Sequence, residues 1–127
     1  MFTVVKINAE RITDWDSFHD TFAEALGFPD FYGRNMNAWI DCMTSLDEPE
    51  DGLTGVHAPE GGVVVIWIAN VDQLASKSPE IYDALVECSA FVNYRKLEVG
   101  ESPVLTLAFF KNAPAGTTNL DAASRRP

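Results

Sequence analysis

Apolar positions along this chain fall into two rhythms, short dense runs and spaced stripes. Phe2 to Asn8 (FTVVKIN) and Pro103 to Phe110 (PVLTLAFF) are runs rich in β-branched and aromatic residues, which predicts strands. Gly62 is followed by VVVIWIAN, an almost unbroken apolar run suited to a central strand covered on both faces. The stripes lie between the runs. Trp15, Phe18, Phe22, Ala25 and Leu26 recur at helical spacing, with Thr13 as the expected N-cap and Asp16 in the reach-back position of a capping box. Gly27 ends that helix and Pro29 blocks its continuation.

Asn35 is the expected N-cap of a second helix, Met36 to Leu46. Its inward stripe is Trp39, Cys42, Met43 and Leu46, which leaves Asn37, Ile40, Asp41 and Thr44 on a different face. Asp47 to Gly62, rich in Pro, Gly and acids, reads as a long surface loop. Val71 to Lys77 is ambiguous and has room for a short helical turn. Ser78-Pro79 then starts a third long helix through about Tyr94, with Ile81, Leu85, Cys88 and Val92 inward and Glu80, Asp83 and Glu87 sharing another face. The order β-α-α-β-α-β requires crossover connections. It predicts an α/β fold, a three-stranded parallel sheet packed with three to four helices. The domain is expected over residues 1–112. From Asn112 onward the residues are small and polar and bury too little apolar area to offset their ordering entropy, so 113–127 is expected to be a flexible tail. No internal repeat is present.

The chain of 127 residues carries a formal net charge of −10. No Lys or Arg stands between Arg34 and Lys77, a stretch holding Asp41, Asp47, Glu48, Glu50, Asp51, Glu60 and Asp72. Such a region repels nucleic acid and acidic membranes and attracts a basic protein surface, although a merely solubilising face has the same composition. The longest apolar stretch, Val63 to Ala69, is too short to span a bilayer, and the N-terminus MFTVVKINAE lacks the layout of a secretory signal; a cytoplasmic protein is expected.

Candidate chemistry is thin. Cys42 and Cys88 read as buried free thiols, and with His19 and His57 they lack the paired spacing of a zinc site. No serine sits in a strand-turn-helix elbow, Gly61-Gly62 precedes a strand instead of opening a helix, and Pro49 interrupts the acids that a calcium loop would need. An acid/base pair of Asp41 with Glu87 lacks any other sign of a substrate pocket. Neither a metal nor a cofactor is expected.

One segment stands out: Phe31-Tyr32-Gly33-Arg34-Asn35-Met36-Asn37-Ala38-Trp39-Ile40-Asp41-Cys42-Met43-Thr44. It resembles the signature of the barstar family, an aromatic-Tyr-Gly-x-Asn turn leading into a helix with a pattern like Asp-Ala-Leu-Trp-Asp-Cys-Leu-Thr. The turn, Asn35, Ala38, Asp41, Cys42 and Thr44 match in register. The order of strands and helices agrees from roughly Phe2 to Phe110, apart from a longer acidic loop. The resemblance implies a proteinaceous ribonuclease inhibitor without activity of its own, an immunity protein of a bacterial cytoplasm, monomeric when free. In such inhibitors the second helix enters a groove lined with Lys, Arg and His, where a carboxylate stands in for a phosphate and accepts charge-assisted hydrogen bonds. Asp41 matches the family's central aspartate and Glu87 is the best match for a second acidic contact. The partner-binding set implied is Phe31, Gly33, Arg34, Asn35, Asn37, Ile40, Asp41, Thr44 and Glu87. Phe31, Asn37 and Ile40 depart from the Tyr, Asp and Trp frequent in the family, and Trp39 stands where an aliphatic core residue is usual, so the target ribonuclease is expected to differ. The competing readings are an acidic interaction module for a non-nuclease basic partner and, third, an enzyme using Asp41 and Glu87.

Overall fold

A computed structural model describes residues 1–111. Three strands, β1 (Phe2–Asn8), β2 (Val63–Ala69) and β3 (Leu105–Phe109), form one parallel sheet in the order β1-β2-β3. Helices α1 (Trp15–Leu26) and α2 (Met36–Thr44) lie in the first crossover, and α3 (Val71–Lys77) and α4 (Pro79–Glu98) in the second. The fold is therefore α/β with four helices on a three-stranded parallel sheet, as the strand and helix order required.

β2 is central because it can be covered on both faces. Val64 and the whole of Ile66 to Ala69 are buried, whereas Val63 and Val65 are only half covered at the strand's beginning. The core continues through Ile7, Phe18, Phe22, Leu26, Trp39, Met43, Leu46, Leu85 and Val92. Polar side chains stitch the elements together where backbone groups would otherwise lack partners. At one end of the sheet, the Asn70 amide donates to Asn8 Oδ1 (2.9 Å). Farther along, Asn93 of α4 donates to the Leu105 carbonyl (2.8 Å) and accepts from the Val104 amide (2.9 Å), fixing the entry of β3.

Several local expectations need correction. The N-cap of α1 is Asp14 rather than Thr13, and its capping box closes with Ser17, not Asp16: Asp14 Oδ1 accepts from the Ser17 amide at 2.8 Å while Ser17 Oγ accepts from the Asp14 amide. The Ser17 bonds hold the Asp14 carboxyl below its ordinary range. Trp15 is exposed rather than inward, its ring lying over His19, whereas His19 and Thr21 are buried. Helix α2 stops at Thr44 because the next turn tightens, with Ser45 N bonding Cys42 O and Leu46 N bonding Met43 O; Leu46 is nonetheless buried. Helix α4 runs past Tyr94 to Glu98. Cys88 is half-buried, so the inward stripe of α4 is completed by Ser89 and Lys96. The acidic connection 47–62 is not a free loop. It contains a 3-10 turn (Pro49–Asp51), its Gly55 and Ala58 amides bond the carbonyls of Leu26 and Leu46, and Thr54 is buried. The polar segment from Asn112 lies outside the described residues.

Candidate functional site

The connection from α1 to α2 is held from beneath and offers its outer side to solvent. Gly27 takes the left-handed conformation (φ 69°) that ends α1, and the Tyr32 amide closes a turn on the Pro29 carbonyl. Tyr32 points inward. Its hydroxyl lies 2.6 Å from Nδ1 of buried His19, and its ring packs on Phe28. Burial pushes the Tyr32 phenol well above its ordinary range, and burial, followed by the Arg34 charge, pushes the His19 imidazole below its own, so both are neutral near pH 7. With Tyr32 turned in, its neighbour Phe31 turns out and is 78% exposed.

Arg34 has φ 53°, the left-handed region a non-glycine residue rarely adopts. Its guanidinium reaches across to α1, donating to Asp20 Oδ1 (2.8 Å) and to the Asp16 carbonyl (3.1 Å). Asn35 caps α2, accepting from the Ala38 amide (2.8 Å) and donating to the Gly33 carbonyl. Gly33 packs closely on the cap: a Cβ there would lie 3.4 Å from both Ala38 Cβ and Asn35 Nδ2. Gly33, Arg34 and Asn35 thus build the start of α2; the polar groups of Arg34 and Asn35 are engaged within the chain.

On α2, Trp39, Cys42 and Met43 face inward, and Leu46 in the turn that follows is buried with them, as their spacing predicted. Trp39 packs against Phe18 and Phe22, and its Nε1 meets no hydrogen-bond acceptor among the described residues. Burial, reinforced by the neighbouring Asp41, raises the Cys42 thiol to about 11, which leaves it a protonated core group with little nucleophilic character. Asn37 and Asp41 are exposed. Ile40 and Thr44 are not fully on the outer face: Ile40 is half-buried against the core, and the Thr44 hydroxyl donates to the Ile40 carbonyl at 2.6 Å.

The carboxylate of Asp41 is outward but not alone. Its Oδ1 accepts from Arg95 Nη1 of α4 at 3.1 Å, and the two side chains remain 66% and 39% exposed. Glu87 is exposed on α4 eight residues before Arg95, about 12 Å along the helix axis. The residue of α4 that meets Asp41 is Arg95, a cation that was not among the expected site residues. Arg95 escaped sequence reasoning because the helix was expected to end at Tyr94; continuing the helical spacing by one turn would have placed Phe91, Tyr94 and Arg95 along the same surface. Phe91 and Tyr94 are 47% and 54% exposed. The next residue, Lys96, is buried and donates to Asp47 (2.8 Å), Glu101 (3.0 Å) and the Thr44 carbonyl (3.4 Å), fastening the end of α2 and the acidic connection to α4. In that connection the Glu48 carboxyl is raised by the Asp51 charge beside it.

A small apolar turn, a capped helix and an outward carboxylate do not by themselves say what they meet. A family model described as Barstar (barnase inhibitor) matches residues 2–107. The chain belongs to the barstar family. The match covers β1, β2, all four helices and the start of β3, including the whole of α2. A Bacillus subtilis (strain 168) protein named "Putative ribonuclease inhibitor YrdF" is 40% identical over 38 residues, which is 30% of this chain and 42% of that protein. The chain thus matches less than half the length of that relative. Among the described residues, no helix is long and apolar enough to cross a membrane.

Proposed function

We propose that this barstar-family protein inhibits a basic ribonuclease, with the outer face of α2 seated in the enzyme's substrate groove and Asp41 taking the place of an RNA phosphate. The observation that carries the reading is the setting of Asp41: an outward carboxylate on a short, firmly capped helix, tied among the described residues by a single bond through one oxygen. A ribonuclease groove must hold a polyanion and is lined with cations, so a fixed carboxylate of this kind finds charge-assisted, two-pronged partners there. In this reading Asn37, one helical turn before Asp41, and the exposed Phe31 of the preceding turn are further contacts, Thr44 and Ile40 contribute their uncovered parts, and Glu87 adds negative charge farther along α4. Gly33, Arg34 and Asn35 act chiefly by holding the turn. Association is steered by the net charge of −10. In this role the protein is a non-catalytic immunity protein of a bacterial cytoplasm, monomeric until it meets its enzyme.

Titration of basic bacterial ribonucleases with the protein tests the reading: RNA cleavage should vanish at one inhibitor per enzyme. Asp41→Ala should weaken inhibition by at least about 2 kcal/mol, roughly 30-fold, as loss of a central charged anchor does. The melting temperature should move by only a few degrees, because an exposed pair such as Asp41–Arg95 contributes less than about 1 kcal/mol to folding. Inhibition that survives Asp41→Ala at full strength, or a panel on which no ribonuclease is inhibited, would overturn the proposal.

A further inference from the structure

We propose that Arg95 decides which ribonucleases this protein accepts, by requiring that the partner bring a carboxylate as well as a cation to the α2–α4 face. The inference rests on the inhibitor reading above and names the partner's chemistry more closely.

In the free protein Asp41 is not a bare anion. It forms a pair with Arg95, Asp41 Oδ1 and Arg95 Nη1 lying 3.1 Å apart. A guanidinium entering from the enzyme must share the Asp41 carboxylate with Arg95 or displace it. Either way two cations come together in a space from which water is leaving, where like charges repel strongly. An enzyme whose groove holds only Lys, Arg and His bears that repulsion in full. An enzyme with an Asp or Glu near the rim converts it into a second ion pair, because among the described residues Arg95 engages Asp41 through Nη1 alone and keeps its other donors for a two-pronged carboxylate contact.

The neighbouring cations cannot take this part. Arg34 is committed to Asp20 and Asp16 on α1, and Lys96 is buried between Asp47 and Glu101. Arg95 also stands beside exposed aromatic surface: Phe91 lies one helical turn before it and Tyr94 is its neighbour in sequence, their ring centroids 6.3 Å apart. Apolar rims of this sort exclude water and strengthen the charge contact they surround. A face built on a mixed pair thus rejects grooves of a single sign, a discrimination by repulsion as much as by attraction.

The test is a double-mutant cycle on a ribonuclease that the wild-type protein inhibits. Its acidic residues near the groove are replaced one at a time by the corresponding amides. Binding is read by calorimetry, so that enzyme variants without activity still report. One of these enzyme variants should bind the wild-type protein at least about 10-fold more weakly, yet bind Arg95→Ala as well as the unmodified enzyme does. Arg95→Glu should in turn lose affinity for the unmodified enzyme and recover part of it against that amide variant. If Asp41→Ala weakens the complex while every amide replacement costs Arg95→Ala as much as it costs the wild-type protein, the role given to Arg95 is wrong and the inhibitor reading stands. If no ribonuclease binds the wild-type chain, both fall.

Discussion

Replacing Lys96 by Met separates the ammonium from the chain that carries it. The Lys96 side chain is 3% exposed, and its Nζ meets Asp47 at 2.8 Å and Glu101 at 3.0 Å, whose side chains are 36% and 52% exposed. Removing one member of a fully buried ion pair costs about 3–5 kcal/mol. Here the two carboxylates can rehydrate once the ammonium is gone, so the cost of Lys96→Met falls to about 1–3 kcal/mol. Lys96→Ala also strips the buried stem and should cost about 2 kcal/mol more. Both numbers are read from urea denaturation followed by the fluorescence of the three tryptophans, of which Trp39 is fully buried. The two carboxylates outweigh desolvation and raise the Lys96 pKa above its ordinary 10.5. The sign follows: the unfolded chain loses this proton first, so the contribution is complete below pH 10.5 and disappears as pH climbs through the higher folded value. That alkaline loss should be missing from Lys96→Met. A Lys96→Met protein as stable as the parent would refute the reasoning, since it would mean that drying the ammonium costs as much as its two partners return.

Gly27→Ala should cost about 2–4 kcal/mol, because its Cβ would stand 2.9 Å from the Gly55 Cα at a positive φ; Gly52→Ala, also at positive φ but with nothing within 4 Å, should cost only about 1 kcal/mol, and equal losses in thermal melts would refute the distinction. Buried His19 has a lowered pKa, so the unfolded chain takes up its proton first as pH falls. Stability should therefore decline from about pH 6.5 downward until the folded pKa is reached, and His19→Gln should flatten that part of the pH profile. Tyr32→Phe leaves His19 Nδ1 without its 2.6 Å partner and should lower stability by about 1–2 kcal/mol in the same assay.

The strands and the inward faces of α1 and α2 were legible because they depend on local periodicity: Phe18, Phe22 and Leu26, or Trp39, Met43 and Leu46, must share a side wherever the helix packs. The cap of α1 was misplaced by one residue. Thr13-x-x-Asp16 and Asp14-x-x-Ser17 both suit a capping box, and only the backbone path selects the second. Long-range facts left less trace. Arg95 and Asp41 are 54 positions apart, and nothing in either segment announces the other. Composition likewise described 47–62 as surface, whereas its bonds to Leu26, Leu46 and Thr3 belong to elements distant in the chain. At the candidate site, the outward Asp41 was readable from helical spacing alone, but the charge standing beside it was not.

The parallel sheet has a consequence for when the protein becomes competent. Phe2 pairs with Val63 and Val64 with Leu105, so each ladder joins residues some 60 or 40 places apart, and neither can form until a long segment has been brought back on itself. Helix α2 sits inside the first of these closures, and Arg95 inside the second. A chain still emerging, or one with its sheet unzipped, carries the residues of the recognition face without their arrangement. The proposed inhibition should therefore rise late in refolding, in step with the ladders rather than with the first appearance of helix.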